Sequence, residues 1–304
     1  MRNILCAVDL AEPAPRVLAY GAGLARMYGA PLLLVHVFNP PLPLRLALPQ
    51  YAGDLLDSSA RTGLMEDLEQ LAEPMREQGL TVRCLVREGR PARELARAAR
   101  SKEADLVVMG THGRAGMGRL VLGSVAEETI RTAPCPVMTL PPVGEGSDAE
   151  AEPGPESFRR ILCPVDHSPD SLAALRTATA IAERVQGIVR LLHVVEWFAP
   201  RQLAAYRFLT SSQVPDSVLG DARARLDAIV PTSTSCGFET DVVVADRPYT
   251  AILQAASRQP SDLIVLGVRG RGAPGPFAGS TTNRVLRQAP CPVLTVAAEP
   301  ETEH

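Results

Sequence analysis

The chain has 304 residues, of which 46% are hydrophobic and 21% are charged, and its formal net charge is −3 at neutral pH. This composition is typical of a globular protein with about two domains, and the charge gives no reason to expect nucleic acid or an anionic membrane as a partner. Asp9 stands too early for a signal peptide, and no apolar run is long enough to cross a bilayer. We therefore expect a cytoplasmic protein.

Six cysteines occur along the chain, at positions 6, 84, 135, 163, 236 and 291. They form neither a CxxC pair nor a cluster with histidines at metal-binding spacing. Most lie in apolar stretches such as "ILCAV". We expect buried, reduced side chains rather than disulfides or a zinc site.

Apolar runs of strand length alternate with helical patterns along the first half of the chain. In chain order we predict a strand over residues 3–10, a helix over 14–28, a strand over 31–38, a helix near 54–78, a strand over 81–88, a helix opening at Pro91, a strand over 105–110, a helix from about 123 and a strand over 136–140. Continuously apolar strands that alternate with helices are typical of a parallel sheet with helices on both faces.

The second half of the chain repeats the first. "ILCAVD" at residues 4–9 returns as "ILCPVD" at 161–166, an offset of 157. The same offset relates His36 to His193, Asp105 to Asp262 and Gly110 to Gly267, and it becomes 156 after the second glycine-rich loop. Residues 142–157 are rich in Pro, Gly, Ser and acidic residues. We predict two domains, 1–141 and 158–298, joined by a flexible linker over 142–157.

Each copy is predicted to be a doubly wound α/β domain with a five-stranded parallel sheet. Ligands of such sheets bind outside the carboxyl ends of the strands, where the winding direction reverses. In the first copy, Asp9 ends strand one and a glycine-rich stretch follows strand four. If both line one crevice, strands one and four are neighbours, which gives the strand order 3-2-1-4-5.

The glycine-rich stretch reads Gly110-x2-Gly113-x9-Gly123-Ser124. Gly123 and Ser124 open a helix, so that free backbone N–H groups and the positive end of the helix dipole point towards the crevice. Positive character is added locally by His112, Arg114 and Arg119. The stretch is predicted to be a phosphate site. A lone pair of glycines is more often a turn, but this pattern stands beside a strand-tip aspartate in both copies.

Together with the early "AVD" and the closing "APCPVMTL", the glycine motif resembles the universal stress protein family, in particular its ATP-binding branch in the tandem form with two domains on one chain. The resemblance implies binding of ATP or a related adenine nucleotide, with or without Mg²⁺. Adenine and ribose would lie near Ala7, Asp9 and Val37, and the phosphates on the glycine motif. The candidate binding residues are Ala7, Asp9, Val37, Met109, Gly110, Gly113, Arg114, Gly123, Ser124, Val125, Pro164, Asp166, Val194, Gly267, Gly270, Gly279, Ser280 and Thr281.

The second glycine loop is one residue shorter than the first. It also contains Pro274 and Pro276, each of which lacks a backbone N–H that could bind phosphate. We therefore expect a weaker or altered site in the second copy, with ATP bound mainly in the first.

The chain lacks a Walker-type lysine motif and an obvious set of metal-binding aspartates, which makes rapid phosphoryl transfer unexpected. The first hypothesis is a nucleotide-binding stress regulator that is not an enzyme. A slow ATPase or autophosphorylating switch is the second, with Ser124, Ser280 and Thr281 as hydroxyls near the phosphates. The third is an interaction scaffold without nucleotide.

The fifth strands, "PVMTL" and "PVLTV", are predicted edge strands, and an apolar edge needs a cover. The resembled family pairs these edges, so we expect the two copies to pair as an intramolecular pseudo-dimer, with a homodimer as a second mode of assembly. His36 and His193 lie within apolar strands, where a hydrogen-bonded structural histidine is the expected role.

Overall fold

The computed structural model describes residues 1–10, 15–39, 58–111, 122–142, 154–196, 214–270 and 279–298. The chain divides into two compact units, Met1–Glu156 and Ser157–His304. Each unit repeats the same alternation of strands and helices.

The first unit contains one parallel sheet. Its strands are β1 (Ile4–Ala7), β2 (Leu32–Phe38), β3 (Val82–Glu88), β4 (Leu106–Gly110) and β5 (Val137–Leu140). Its described helices are α1 (Pro15–Tyr28), α2 (Ser58–Glu77), α3 (Pro91–Ser101) and α4 (Ser124–Thr132). Within the unit the strand order is β3-β2-β1-β4-β5, and all four neighbouring pairs are parallel.

The second unit has the same plan. Its strands are β6 (Arg160–Pro164), β7 (Ile188–Glu196), β8 (Gly237–Ala245), β9 (Leu263–Gly267) and β10 (Val293–Val296). Its described helices are α5 (Pro169–Val185), α6 (Asp216–Asp227), α7 (Pro248–Arg258) and α8 (Ser280–Gln288). The order within the unit is β8-β7-β6-β9-β10, again with parallel neighbours.

The predicted fold class is confirmed: two repeated α/β domains, each with a five-stranded parallel sheet in the order 3-2-1-4-5. Element ends differ by a few residues from the predicted ones. The difference that matters most for the site is at the first strand, which was predicted over residues 3–10. It ends at Ala7, so Asp9 follows the strand by two residues. The Val8 N–H still donates to the Val35 carbonyl at 2.9 Å, which continues the sheet hydrogen bonding up to this aspartate.

The middle strands are buried because both faces of each sheet are covered. Leu106, Val107 and Val108 of β4 are fully buried, and so are Leu263 and Ile264 of β9. Such strands carry apolar residues at successive positions, which is why they appear as unbroken apolar runs in the sequence. Several helices begin with a proline in the first turn, where a missing N–H costs nothing.

The repeated aspartates Asp105 and Asp262 have a structural role. Asp262 accepts a hydrogen bond from the Arg160 N–H at 2.8 Å, and Asp105 accepts one from the Asn3 N–H at 3.0 Å. Each carboxylate thereby ties the start of its unit's fourth strand to the start of its first strand.

The predicted linker falls largely on residues 143–153, which lie outside the described part of the chain. At its end, a short 3₁₀ helix covers Pro155–Ser157, and Phe158 is buried directly after it. Among the described residues, none of the helices combines the length and the apolar character needed to span a membrane.

Candidate functional site

A cavity of about 360 Å³ opens at the carboxyl ends of the strands in the second unit. Its volume falls in the range of roughly 300–1,000 Å³ found for small-molecule sites. All eight candidate residues of the second copy line it: Pro164, Asp166, Val194, Gly267, Gly270, Gly279, Ser280 and Thr281. The structure thus brings the strand tips and the two described ends of the glycine-rich stretch, Gly267–Gly270 and Gly279–Thr281, into one crevice.

The carboxylate of Asp166 is held in place at the tip of β6. Its Oδ1 accepts hydrogen bonds from the N–H and the hydroxyl of Ser168, at 3.0 and 2.6 Å. The intervening His167 has a φ of 62°, in the left-handed region. A Cβ atom at Gly270 would lie 2.7 Å from Asp166 Oδ2, so the glycine leaves room for this carboxylate.

Helix α8 begins at the cavity. The Gly279 N–H donates to the Val268 carbonyl at 2.9 Å, and the first bond within the helix runs from the Asn283 N–H to the Gly279 carbonyl at 3.0 Å. The N–H groups of Ser280 and Thr281 precede that bond and belong to the helix start, where intrahelical acceptors are lacking. Donors and a positive dipole end of this kind suit an anion.

Gly279, at the start of α8, has room beside it for a Cβ atom. A Cβ atom at Gly279 would find its nearest neighbours at 3.7 Å, an ordinary contact distance, and its φ of −57° suits any residue. The fold therefore does not require a glycine at this position. The absence of a side chain leaves space in the cavity that a ligand can use.

The cavity walls carry both signs of charge. The acidic lining residues are Asp166, Glu196 and Asp246, and the basic ones are Arg247, Arg269 and Arg284. Arg269 is anchored, because Asp170 Oδ2 accepts from its backbone N–H at 2.9 Å and from its Nε at 3.1 Å. Asp170 Oδ1 also accepts from the Ala298 N–H at 2.9 Å.

The first unit shows the same backbone arrangement where it is described. The Gly123 N–H donates to the Thr111 carbonyl at 2.8 Å, and the Glu127 N–H donates to the Gly123 carbonyl at 3.0 Å. These bonds repeat those of Gly279 and Asn283 in the second unit. Met109 and Gly110 end β4, and Val37 lies near the end of β2. Gly113 and Arg114 lie outside the described residues, as do His112 and Arg119.

The family model described as "Universal stress protein family" matches residues 1–141 and again 157–297. The chain belongs to the universal stress protein family.

Universal stress proteins of the same tandem length are among its relatives. "Universal stress protein Rv2005c" of Mycobacterium tuberculosis is 28% identical over 302 residues, which are 96% of each chain. The crystal structure of a universal stress protein from Archaeoglobus fulgidus DSM 4304 covers 98% of both chains at 20% identity, with a TM-score of 0.69. A shorter match is a universal stress protein from Archaeoglobus fulgidus in complex with dAMP, 24% identical, covering 46% of this chain and 97% of its own, with a TM-score of 0.34.

The two histidines of this universal stress protein support the strand tips. His36 Nδ1 lies 2.9 Å from the Val8 carbonyl, and His193 Nδ1 lies 2.8 Å from the Val165 carbonyl. Because a carbonyl only accepts, Nδ1 donates in both cases. Each histidine therefore fixes the residue directly before the aspartate of its copy.

Sequence reasoning missed several residues that shape the second site. Ser168 and Asp170 are the clearest, since one holds Asp166 and the other holds Arg269. The signal for Ser168 was present, because Ser-Pro-Asp is a helix start: Ser168 caps α5 by accepting from the Ser171 N–H at 3.2 Å. At the offset of 157, Ala11 and Pro13 stand in the first copy, so its sequence lacks the hydroxyl and the carboxylate that these two residues contribute.

The side chains of the described residues bear on two other kinds of chemistry, metal binding and cysteine reactivity. No group of three or more His, Cys, Asp or Glu side chains among them is arranged to hold a metal ion. All six cysteines are free, and four of them are buried. Burial raises the pKa of the Cys6 and Cys163 thiols to about 12, which keeps both protonated and unreactive at neutral pH.

Proposed function

We propose that this tandem universal stress protein binds ATP or a related adenine nucleotide in the crevice of each unit and acts as a regulator in the stress response. The observation that carries the proposal is the convergence of eight candidate residues on one cavity at the strand tips. The first copy keeps the same glycine motif in its sequence, so we extend the proposal to it.

The chemistry of the cavity supports an adenine nucleotide with the phosphates at α8. Carboxylate oxygens of Asp166 accept hydrogen bonds from sugar hydroxyls or from the amino edge of a base. The helix start at Ser280 offers donors for phosphate oxygens, and the Arg269 side chain, which is paired with Asp170, lines the same cavity. Val194 and Ile252 supply apolar wall for the base.

Isothermal titration of the full chain with ATP, with and without Mg²⁺, tests the proposal. We expect Gly123→Val and Gly279→Val each to remove or weaken one binding event, because the added side chains occupy space at the phosphates. The matched control is Gly220→Val, since a Cβ atom at Gly220 in α6 has no neighbour within 4 Å. Absence of binding heat in the unsubstituted protein would overturn the proposal.

Incubation with radiolabelled ATP and Mg²⁺ separates a regulator from an enzyme. We expect retained nucleotide without turnover. Release of labelled phosphate, or label on Ser124, Ser280 or Thr281, would instead establish the slow ATPase or the autophosphorylating switch. Failure to retain any nucleotide would establish the scaffold.

Pairing through β5 and β10, a homodimer, the cytoplasmic location and the lack of nucleic-acid or membrane partners stay predictions from the sequence. Hydrogen exchange tests the pairing, because alternate N–H groups of β5 point away from β4. Protection of all amides in Val137–Leu140 is expected. Fast exchange at the alternate amides would contradict the pairing.

A further inference from the structure

One wall of the second unit's cavity carries a cluster of Arg247, Tyr249 and Arg284, which we call the arginine–tyrosine wall. Arg247 and Tyr249 stand at the start of α7, and Arg284 lies in the second turn of α8. All three line the cavity.

Tyr249 joins the two arginines. The guanidinium carbon of Arg284 lies 4.6 Å from the centroid of the Tyr249 ring, which is a cation–π distance. Arg247 Nη1 donates to Tyr249 Oη at 3.4 Å. The pKa of Tyr249 is lowered, first by this hydrogen bond and further by the positive charges of Arg247 and Arg284. The Tyr249 side chain thus contacts both guanidinium groups.

This wall has a net positive charge. Arg247 has an acidic neighbour in Asp246, but the Nε–Oδ2 distance is 4.0 Å and both side chains are more than half exposed. Arg284 forms no ion pair with any carboxylate in the described part of the chain. The Arg284 side chain is exposed and lines the cavity, where it contacts the aromatic ring.

The first copy does not repeat the wall. At the offset of 157, Arg90 stands at the position of Arg247 and Ala92 at that of Tyr249. At the offset of 156, Glu128 stands at the position of Arg284. The second copy therefore gains one positive charge where the first carries a negative one, and it gains the ring that orients the charge.

We propose that Arg284, held over Tyr249, makes the second unit's cavity selective for nucleotides with two or more phosphates. The inference rests on the proposed function and adds the ligand class of one of its two sites. Each added phosphate increases the negative charge of the ligand, so a cationic wall favours ATP and ADP over AMP by attraction at short range. In the second unit's cavity, an Arg284→Glu substitution would disfavour the more highly charged ligands.

Titrations of the full chain with AMP, ADP and ATP test this selectivity. The event that Asp166→Ala removes defines the second unit's site. For that event, we expect Arg284→Glu to weaken ATP binding about tenfold or more and AMP binding by no more than about twofold. Arg284→Gln, which removes the charge without reversing it, should give a smaller change in the same direction. Arg223→Glu is the matched control, because Arg223 is exposed on α6 and does not line the cavity.

Two results would overturn the inference without touching the proposed function. One is an equal loss of AMP and ATP affinity in Arg284→Glu while its melting temperature is unchanged. The other is an equal loss for all three nucleotides in Tyr249→Leu, which would mean that the ring stacks on the base instead of orienting Arg284. The proposed function fails only if no nucleotide binds to the unsubstituted chain.

Discussion

A Cβ atom at Gly267 would lie 2.8 Å from the carbonyl carbon of Asp170 in the first turn of α5. The end of β9 and the start of α5 are therefore packed backbone against backbone. This close approach explains the second unit's first motif glycine as a requirement of the fold, whereas Gly279 has no such neighbour. Glycine is therefore present at these two positions of one motif for different physical reasons.

Substitution of each glycine by alanine tests whether the fold requires glycine at that position. We expect Gly267→Ala to lower the free energy of unfolding by about 1–3 kcal/mol, because the contact is with backbone that must shift. Gly279→Ala should have a smaller effect on unfolding, limited to its position at the start of α8. Urea denaturation measures both, with Gly220→Ala as a control in open space. Equal losses of unfolding free energy in the two variants would contradict the inference that only Gly267 is required by backbone packing.

Removal of the Asp170 carboxylate should destabilise the second unit. Its side chain is 6% exposed and accepts from the backbone of Arg269 and of Ala298. Because Arg269 is 44% exposed, the ion pair itself contributes little, and the backbone donors dominate. We expect Asp170→Ala to lower the free energy of unfolding by about 1–3 kcal/mol.

The exposed Asp227 at the end of α6 provides the control for this change. Asp227→Ala removes a negative charge from a helix C-terminus and should leave stability unchanged or slightly higher. A loss equal to that of Asp170→Ala would contradict the structural role of Asp170.

The fold could be predicted from the sequence because its signals are local or repeated. Unbroken apolar runs such as β4 indicated parallel strands, and the duplication indicated two domains. The roles of Asp170 and of the arginine–tyrosine wall could not be predicted in this way. Asp170 bonds to residues 99 and 128 positions away, and Tyr249 meets Arg284 from another helix, so both depend on tertiary contacts that no local pattern encodes.

Stability should fall at high pH because of the buried thiols. The pKa of Cys6 and of Cys163 is raised by burial from 9.0 to about 12. Above pH 9 the unfolded chain loses these thiol protons while the folded chain keeps them, so the folded state is disfavoured progressively between pH 9 and 12. Urea midpoints at pH 8 and pH 10.5 measure the decline.

Comparison with a Cys6→Ala/Cys163→Ala variant isolates the thiols from other groups that titrate in this range. The variant will be less stable overall, but its stability should depend less steeply on pH. The same slope in both proteins would exclude these two thiols as the cause.

The two nucleotide sites should differ in ATP affinity, with the first unit binding more tightly. The second loop is one residue shorter, and Pro274 and Pro276, which lie outside the described residues, offer no N–H to a phosphate. Asp166 Oδ1 already accepts two hydrogen bonds from Ser168. Loss of one charge-assisted bond to phosphate costs about 1.5–3 kcal/mol, or about tenfold to a hundredfold in affinity.

Separate titrations of Asp9→Ala and Asp166→Ala with ATP measure this difference. We expect Asp9→Ala to remove the tighter event and to leave the weaker one, while Asp166→Ala does the opposite. The arginine–tyrosine wall sets which nucleotides the weaker site prefers and does not restore the missing loop donors. If Asp166→Ala removes the tighter event and Asp9→Ala spares it, the second unit is the principal site and the loop prolines do not limit phosphate binding.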